Sequence, residues 1–433
     1  MNSKLEFFDF AAWTQFIPES EIRRLLRYDV PYYFAGGKPG AIPVDVFAKI
    51  LIELGSEQLE KIKRGPEGKQ EVIDEYNYGS TAGLQPFRET LAKYLREKDG
   101  IPLSKEDGWK EVVITTGSQQ AIYTILDTLI DPGDAILTPA PVYLGFVTPA
   151  EKLGAKVICV PTDLDGIIPE YVEEALRAAE KSDEIKKPPE ILYVIADSDN
   201  PKGTTLPTKR RKQLFDIAET WNLLIVEDAA YREIQFKNEK LPAIKSFDKE
   251  NQRVAYLRTT SKEAAPFRVG YSVMPDALRE QVVKDKGYLD LCTSSLIQKI
   301  LNIYYANYFE KTLPEITKIY EKRCKAMCNA IDETFPEGER TNPTGGFFVW
   351  WQSKKMFDAK KFLEKVALPN QILYVPGHSF YPIKGYVYNP DTKRIEKSSP
   401  SINTMRLGFS YRDERTIEIG VKKLGKLLTE ELK

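Results

Sequence analysis

The stretch YLRTTSKEAAPFRVGY, Tyr256 to Tyr271, opens as a buried β-strand, turns polar, places Lys262 at the strand's end and breaks at Pro266. Lysine is seldom fully buried unless it is paired, and the carboxyl end of a central strand is a place where a chain can bury one. Taken alone, Lys262 also reads as a strand-to-loop residue pointing at water. Which reading holds depends on what the neighbouring strands carry at their own ends. From about residue 88 onward, short β-branched runs alternate with amphipathic helical stretches, the pattern of a parallel sheet covered by helices. The runs EVVIT, AILTP, AKVICV, ILYVIA, LLIVED, VAYLRT and FRVGYSV predict an α/β fold with a mostly parallel, seven-stranded sheet. The last run follows its predecessor through a short loop with no room for a crossover, so it is predicted antiparallel.

In open parallel sheets ligands sit beyond the carboxyl ends of the strands, so the residues just after each run are the informative ones. After EVVIT comes TGSQQAIYTIL, a glycine turn into a helix whose first turn carries Gly117, Ser118 and Gln119. Free backbone N–H groups and the positive end of the helix dipole make such a turn an anion site, most simply for phosphate; a serine N-cap is the structural alternative. After ILYVIA comes DSDNPKG, with Asn200 before a proline, and after LLIV comes EDAAYREI, with Asp228 and Tyr231 close enough to share a site. Asn and Asp are ordinary turn formers, so neither decides anything alone. After VAYLRT come Ser261 and Lys262, and Arg268 follows within a turn or so. Four strand ends thus offer a phosphate nest, an amide, a carboxylate with a phenol, and a lysine with an arginine. Independent structural accidents explain that set poorly.

After Gln298 the pattern becomes long and helical, followed by a strand at GGFFVWWQ, a helix around MFDAKKFLEKVA, a strand at QILYVPG and a final charged helix from Arg412. This predicts a smaller α+β domain: residues 1–50 form an N-terminal segment on the small domain and the active site, 51–305 the large domain, and 306–433 the small one. The segment from Lys384 to Ser399 is polar and turn-rich, which predicts a surface loop or hairpin. Sixty-two Lys and Arg against 63 Asp and Glu leave a net charge of −1, with no basic field for nucleic acid or an anionic membrane, so small-molecule chemistry is favoured. No window is apolar enough to span a bilayer and the first residues lack a signal pattern, so a cytoplasmic protein is expected. Four cysteines in 433 residues make no disulfide framework and read as core thiols. The single histidine, His378, excludes a zinc site built on several histidines, so no metal is expected and acid–base work falls to lysine or carboxylates.

These residues and motifs resemble the pyridoxal-phosphate aminotransferases of fold type I, class I/II, within them the α-aminoadipate/kynurenine aminotransferase-like branch. The resemblance runs through ESEIRRLL, YYFAGGKPG, YNYGSTAGLQPFRETLAKYL, VVITTGSQQAIYTILDTLIDPGDAILTPAPVY, DNPKG, EDAAYREI, TTSKEAAPFRVGY, GGFFVWW, VPG and NTMRLGFSY. It implies that pyridoxal 5'-phosphate is the cofactor, that Lys262 bonds to its aldehyde and later moves the proton at Cα, and that Asp228 pairs with the pyridinium nitrogen. It further implies that Asn200 and Tyr231 donate to the phenolic oxygen, that Tyr143 stacks on the ring, and that Gly117, Ser118, Gln119, Ser261 and Arg268 form the phosphate cup. Tyr78 matches a residue that reaches the phosphate from a neighbouring subunit, which implies a homodimer with active sites at the interface. Arg406 corresponds to the arginine that grips the substrate α-carboxylate, with the backbone at Gly37 approaching the same group and Asn200 beside it.

The expected activity is amino-group transfer from an amino acid to a 2-oxo acid, 2-oxoglutarate by analogy, in a ping-pong cycle. Tyr32, Tyr33, Phe34 and Tyr143 are compatible with a large apolar or aromatic donor, without ranking aromatic, aminoadipate or branched-chain substrates. A C–S lyase or another eliminating or oxidising enzyme of the fold would keep nearly the same residues. A non-catalytic sensor fused to a DNA-binding domain is a remote alternative, since no extra domain precedes ESEIRRLL and the charge is not basic. Two features depart from the family pattern. Asn200 to Gly203 reads Asn-Pro-Lys-Gly, whereas a second motif, Asn-Pro-Thr-Gly at Asn342 to Gly345, precedes the small-domain strand and is rejected as a site. The interval from Lys262 to Arg268 is slightly short, lacking a glycine before the arginine. His378, after VPG, reads equally as an entrance residue or an exposed loop histidine.

Overall fold

Val, Ile and Leu dominate the predicted strands on both faces, which suits a sheet covered on both sides. The structure, a computed structural model, describes residues 9–237 and 240–433, so residues 1–8 of the expected N-terminal segment lie outside the described residues. In chain order the first strands are β1 (Tyr32–Tyr33), β2 (Val112–Thr115), β3 (Ala135–Ala140), β4 (Lys156–Asp163), β5 (Gly166–Ile167), β6 (Ile191–Val194), β7 (Leu224–Asp228), β8 (Val254–Thr259) and β9 (Gly270–Val273). There follow β10 (Gly338–Arg340), β11 (Phe348–Ser353), β12 (Ile372–Leu373), β13 (Val375–Pro376), β14 (Tyr386–Asn389), β15 (Arg394–Lys397) and β16 (Thr404–Gly408).

The large sheet has the order β15-β14-β4-β3-β6-β7-β8-β9-β2, with β5 paired to β4. Its seven predicted strands are all present, and β9 alone among them runs antiparallel to its neighbours β8 and β2. Successive side chains alternate between the two faces. Ile191 and Tyr193 join the core beneath the helices Ser118–Leu129 and Leu144–Lys152, while Leu192 and Val194 join the core under Pro169–Glu180 and Thr208–Trp221.

The smaller sheet, β10-β11-β16-β13, is antiparallel throughout and is backed by the long helices Phe309–Thr334 and Glu414–Glu431. The N-terminal segment is tied to it: β1 pairs with β12, and the N–H of Gly408 donates to Phe34 O at 2.8 Å. The segment 384–399 is a hairpin, β14–β15, but it does not stand free. β14 adds to the large sheet beside β4, pairing Tyr386 and Val387 with Ile158 and Cys159. The chain therefore crosses back over the expected boundary at 306 before β16 begins.

Below the strand ends runs a chain of buried charges. Arg211 and Arg232 share Asp197 at 2.6 and 2.9 Å; Arg232 and Arg258 share Asp99; Arg258 and Lys240 share Glu233. Because Arg258 lies on β8 and Glu233 two residues beyond Tyr231, this network fixes the two strand ends relative to each other. No helix among the described residues is long and apolar enough to cross a membrane.

Candidate active site

The turn from β2 into the helix Ser118–Leu129 requires glycine at 117, where φ is +74° and a Cβ would lie 2.6 Å from Arg268 Nη2. No side chain caps that helix, so its first N–H groups stay free for an anion. Arg268, itself left-handed at φ +51°, donates through Nη1 to Ser261 Oγ at 3.0 Å, and Thr259 Oγ1 donates to the same oxygen at 2.9 Å. Gly117, Ser118, Ser261 and Arg268 thus form one cradle, and the short interval after Lys262 still delivers the arginine to it. Gln119 donates to Gly145 O at 2.5 Å and accepts from the Tyr143 hydroxyl at 3.2 Å, which anchors Tyr143 at the start of the helix Leu144–Lys152.

At the end of β7, Asp228 is 2% exposed and accepts from the Tyr193 hydroxyl at 2.8 Å and from the Ala230 N–H at 3.2 Å. Burial raises its carboxyl above the ordinary range, against the Tyr193 hydrogen bond and the charge of Lys262. Both hydrogen-bonding partners are neutral donors, so a cation placed beside it would find a receptive carboxylate. Lys262 Nζ lies 4.5 Å from the centre of the Tyr231 ring and 5.6 Å from that of Phe347. Burial lowers its ammonium pKa, with Tyr143, Asp228 and Glu263 acting in the opposite direction. The amine is therefore easier to free of its proton than an exposed lysine.

Arg406, on β16, is 1% exposed between Phe348 and Phe380, 4.0 and 4.7 Å from their ring centres. It donates to Asn200 Oδ1 at 2.7 Å and to Ala35 O, whereas Nε has no partner. Burial brings its pKa down to about 10, leaving it charged at neutral pH. Gly37 lies so close to Phe348 that a Cβ would stand 2.7 Å from Cζ.

These groups line one cavity of about 230 Å³; of the candidate cofactor- and carboxylate-binding residues, Gly117 and Tyr78 are the two that do not line it. Tyr78 is at the surface, 82% exposed. The cavity thus combines an anion cradle, a buried carboxylate, a lysine amine and a buried guanidinium. That donor set fits a cofactor carrying a phosphate and a basic ring nitrogen. A larger hollow of about 460 Å³ opens near Leu129, Arg253 and Leu278 and contains none of the candidates.

Two expectations are corrected by position. Tyr33 and Phe34 are buried core residues, and Tyr32, partly buried, lies in β1; of the four aromatic residues considered for the donor, Tyr143 alone lines the cavity. Pairing of β1 with β12 turned that run into packing. His378 is partly buried in the turn Gly377–Phe380 and does not line the cavity. The second Asn-Pro-Thr-Gly, rejected as a site, lies outside the cavity as expected, packing Pro343 near Gly203, while Thr344 O accepts from the Phe236 N–H. Sequence reasoning missed Tyr193, Ile195, Thr259 and Phe348. The period of two along β6 carries the signal for Tyr193 and Ile195; nothing local distinguishes Phe348 from Phe347.

The sequence profile described as aminotransferase class I and II matches residues 56–396. An aromatic-amino-acid aminotransferase of Thermococcus litoralis is 36% identical over 96% of this chain and 92% of its own. A 2-aminoadipate transaminase of Thermus thermophilus is 30% identical over 95% and 94%. Among solved structures, a kynurenine aminotransferase of Pyrococcus horikoshii, in complex with PMP, superposes with a TM-score of 0.84 at 32% identity, covering 98% of each chain.

Proposed function

The chain belongs to the aminotransferase class I and II family, and from that premise we propose that it moves the amino group of an aromatic or 2-aminoadipate-like amino acid to a 2-oxo acid, with 2-oxoglutarate as acceptor, in a ping-pong cycle. Its cofactor is pyridoxal 5'-phosphate. Bound, that group supplies an aldehyde that takes the amino group and a ring that accepts the electron pair left when the Cα–H bond breaks.

The remaining work belongs to the chain's own residues. Ser118 and Gln119 N–H groups, Ser261 and Arg268 hold the phosphate, Asp228 keeps the ring nitrogen protonated, and Tyr143 stacks on the ring. Asn200 and Tyr231 donate to the phenolic oxygen. Lys262, its amine freed by burial, would take the proton from Cα and deliver it to the carbon that carried the aldehyde. Arg406, with the backbone at Gly37, takes the α-carboxylate and fixes the Cα–H bond relative to the ring. We also infer that two copies of the chain pair, with Tyr78 of each completing the other's site. Exposed Leu51, Ile52 and Leu59 on the helix Val44–Lys63, with Tyr288 and Leu291, supply an apolar surface for that contact.

The observation that carries this reading is the unpartnered Nε of buried Arg406 in the cavity that also holds Lys262 and the anion cradle. An absorption spectrum of the purified protein tests it. A visible cofactor band that shifts with glutamate and returns with 2-oxoglutarate is expected, and Lys262→Ala should lose turnover while still binding the cofactor non-covalently. Pyruvate and ammonia formed without an acceptor would instead favour a lyase, and no band after adding pyridoxal phosphate would sink the reading.

A further inference from the structure

Glu263 follows Lys262 directly, and the proposed cycle leaves it idle. Its side chain is 2% exposed, and Oε2 has no hydrogen-bond partner. An unpartnered carboxyl oxygen is costly in the interior, most of all when ionised. Packing alone needs no such group. The charged and titratable groups facing it come from every element packed around it. They are Lys262 in its own turn, Arg258 on β8, Glu233 after β7, Tyr304 and Tyr305 on the helix Ser295–Asn307, and Tyr320 on the helix Phe309–Thr334. Arg258 is already committed to Asp99 and Glu233. Arg258 acts on Glu263 more strongly than Lys262 does, but it stays charged throughout, so Lys262 is the neighbouring cation whose proton can respond when Glu263 changes charge.

Resting on the reading of Lys262 as the reacting amine, we propose that Glu263 is a positioning residue for it: a buried carboxyl group, away from substrate, whose gain and loss of a proton sets how readily Lys262 releases its own. Burial first, then repulsion by Glu233, pushes the Glu263 carboxyl up to about 7, against the pull of Arg258 and Lys262. Below that pH Glu263 is neutral and Lys262 feels mainly its own burial. Above it, a carboxylate beside the lysine favours the ammonium and holds the proton longer.

The test reads Lys262 itself, without requiring turnover. The full chain, freed of cofactor, is methylated with formaldehyde and cyanoborohydride across a pH series, and modification at Lys262 is followed by mass spectrometry; only the free amine reacts. In Glu263→Gln the midpoint should move down by about one pH unit relative to the unaltered chain. The unaltered chain should also show a second inflection near the ionisation of Glu263. Coincident midpoints in the two proteins would overturn the proposal. Should the glutamine variant fail to fold, a single-step profile in the unaltered chain overturns it equally. A shifted midpoint in a protein that cannot transaminate would uphold the coupling and discard the aminotransferase reading, so the two failures are distinguishable.

Discussion

Arg406 sits between two phenylalanine rings with one N–H unanswered, and that arrangement makes it sensitive to replacement. Arg406→Gln keeps a polar group there and removes the charge and the planar fork. Losing the proposed charge-assisted pair with the substrate carboxylate should cost about 3 kcal/mol, or a fall in kcat/KM of roughly 100-fold. Since the α-carboxylate is common to all amino acids, the loss should be similar for aromatic and acidic donors, and the cofactor spectrum should not change. Steady-state kinetics with two unlike donors checks this; a loss confined to one donor would assign Arg406 to side-chain recognition instead. Arg406 was singled out in NTMRLGFSY through a family likeness, and the structure places it in the same cavity as Lys262. Its partner Asn200 lies 206 residues away, and no local pattern announces that bond.

At the scale of elements, the turn into the helix Ser118–Leu129 joins a backbone constraint to a binding task. Gly117→Ala would force a side chain into a left-handed residue and against Arg268 Nη2. The helix N-terminus and the arginine would then move apart, costing about 1.5 kcal/mol of cofactor binding, or roughly a tenfold rise in Kd. Fluorescence titration with pyridoxal phosphate measures it, and an unchanged Kd would remove Gly117 from the cradle. The strands of the large sheet were readable because continuous β-branched runs between helical stretches leave little choice of element. The antiparallel sense of β9 followed from loop length alone. Pairing over long separations was another matter: YYF looked like an aromatic lining until β12, some 340 residues on, claimed it as packing. Likewise β14 and β15 could be suspected as a hairpin, but only tertiary contact shows that β14 joins β4.

The whole molecule is held under its strand ends by the chain of charges from Arg211 to Lys240. Burial alone would raise the Asp197 carboxyl, but Arg211 and Arg232 outweigh it and hold it at about 2. Glu233 is lowered in the same way by Arg258 and Lys240. A depressed carboxylate contributes stability that is fully present above its unfolded pKa, roughly 4, and is lost as pH falls through its folded value. Unfolding midpoints should therefore hold near pH 5 and drop steeply towards pH 2. Asp197→Asn, which leaves Arg211 and Arg232 short of a counter-charge, should cost about 3 to 5 kcal/mol at pH 7 and flatten that acid limb. Denaturant titrations at both pH values decide it; an unaltered acid limb would mean the network is not what acid attacks.

The hairpin β14–β15 also covers one edge of β4, a strand whose Val157, Ile158, Cys159 and Val160 are all buried. A bare strand of that composition, with its N–H and C=O groups unpaired, is a template for another chain. The hairpin replaces it with an outer edge bearing Arg394, Glu396 and Lys397, whose charges discourage such pairing. A segment that reads as a surface loop or hairpin should thus raise the concentration this protein tolerates before it self-associates, and trimming it to obtain a tidier molecule should produce a stickier one.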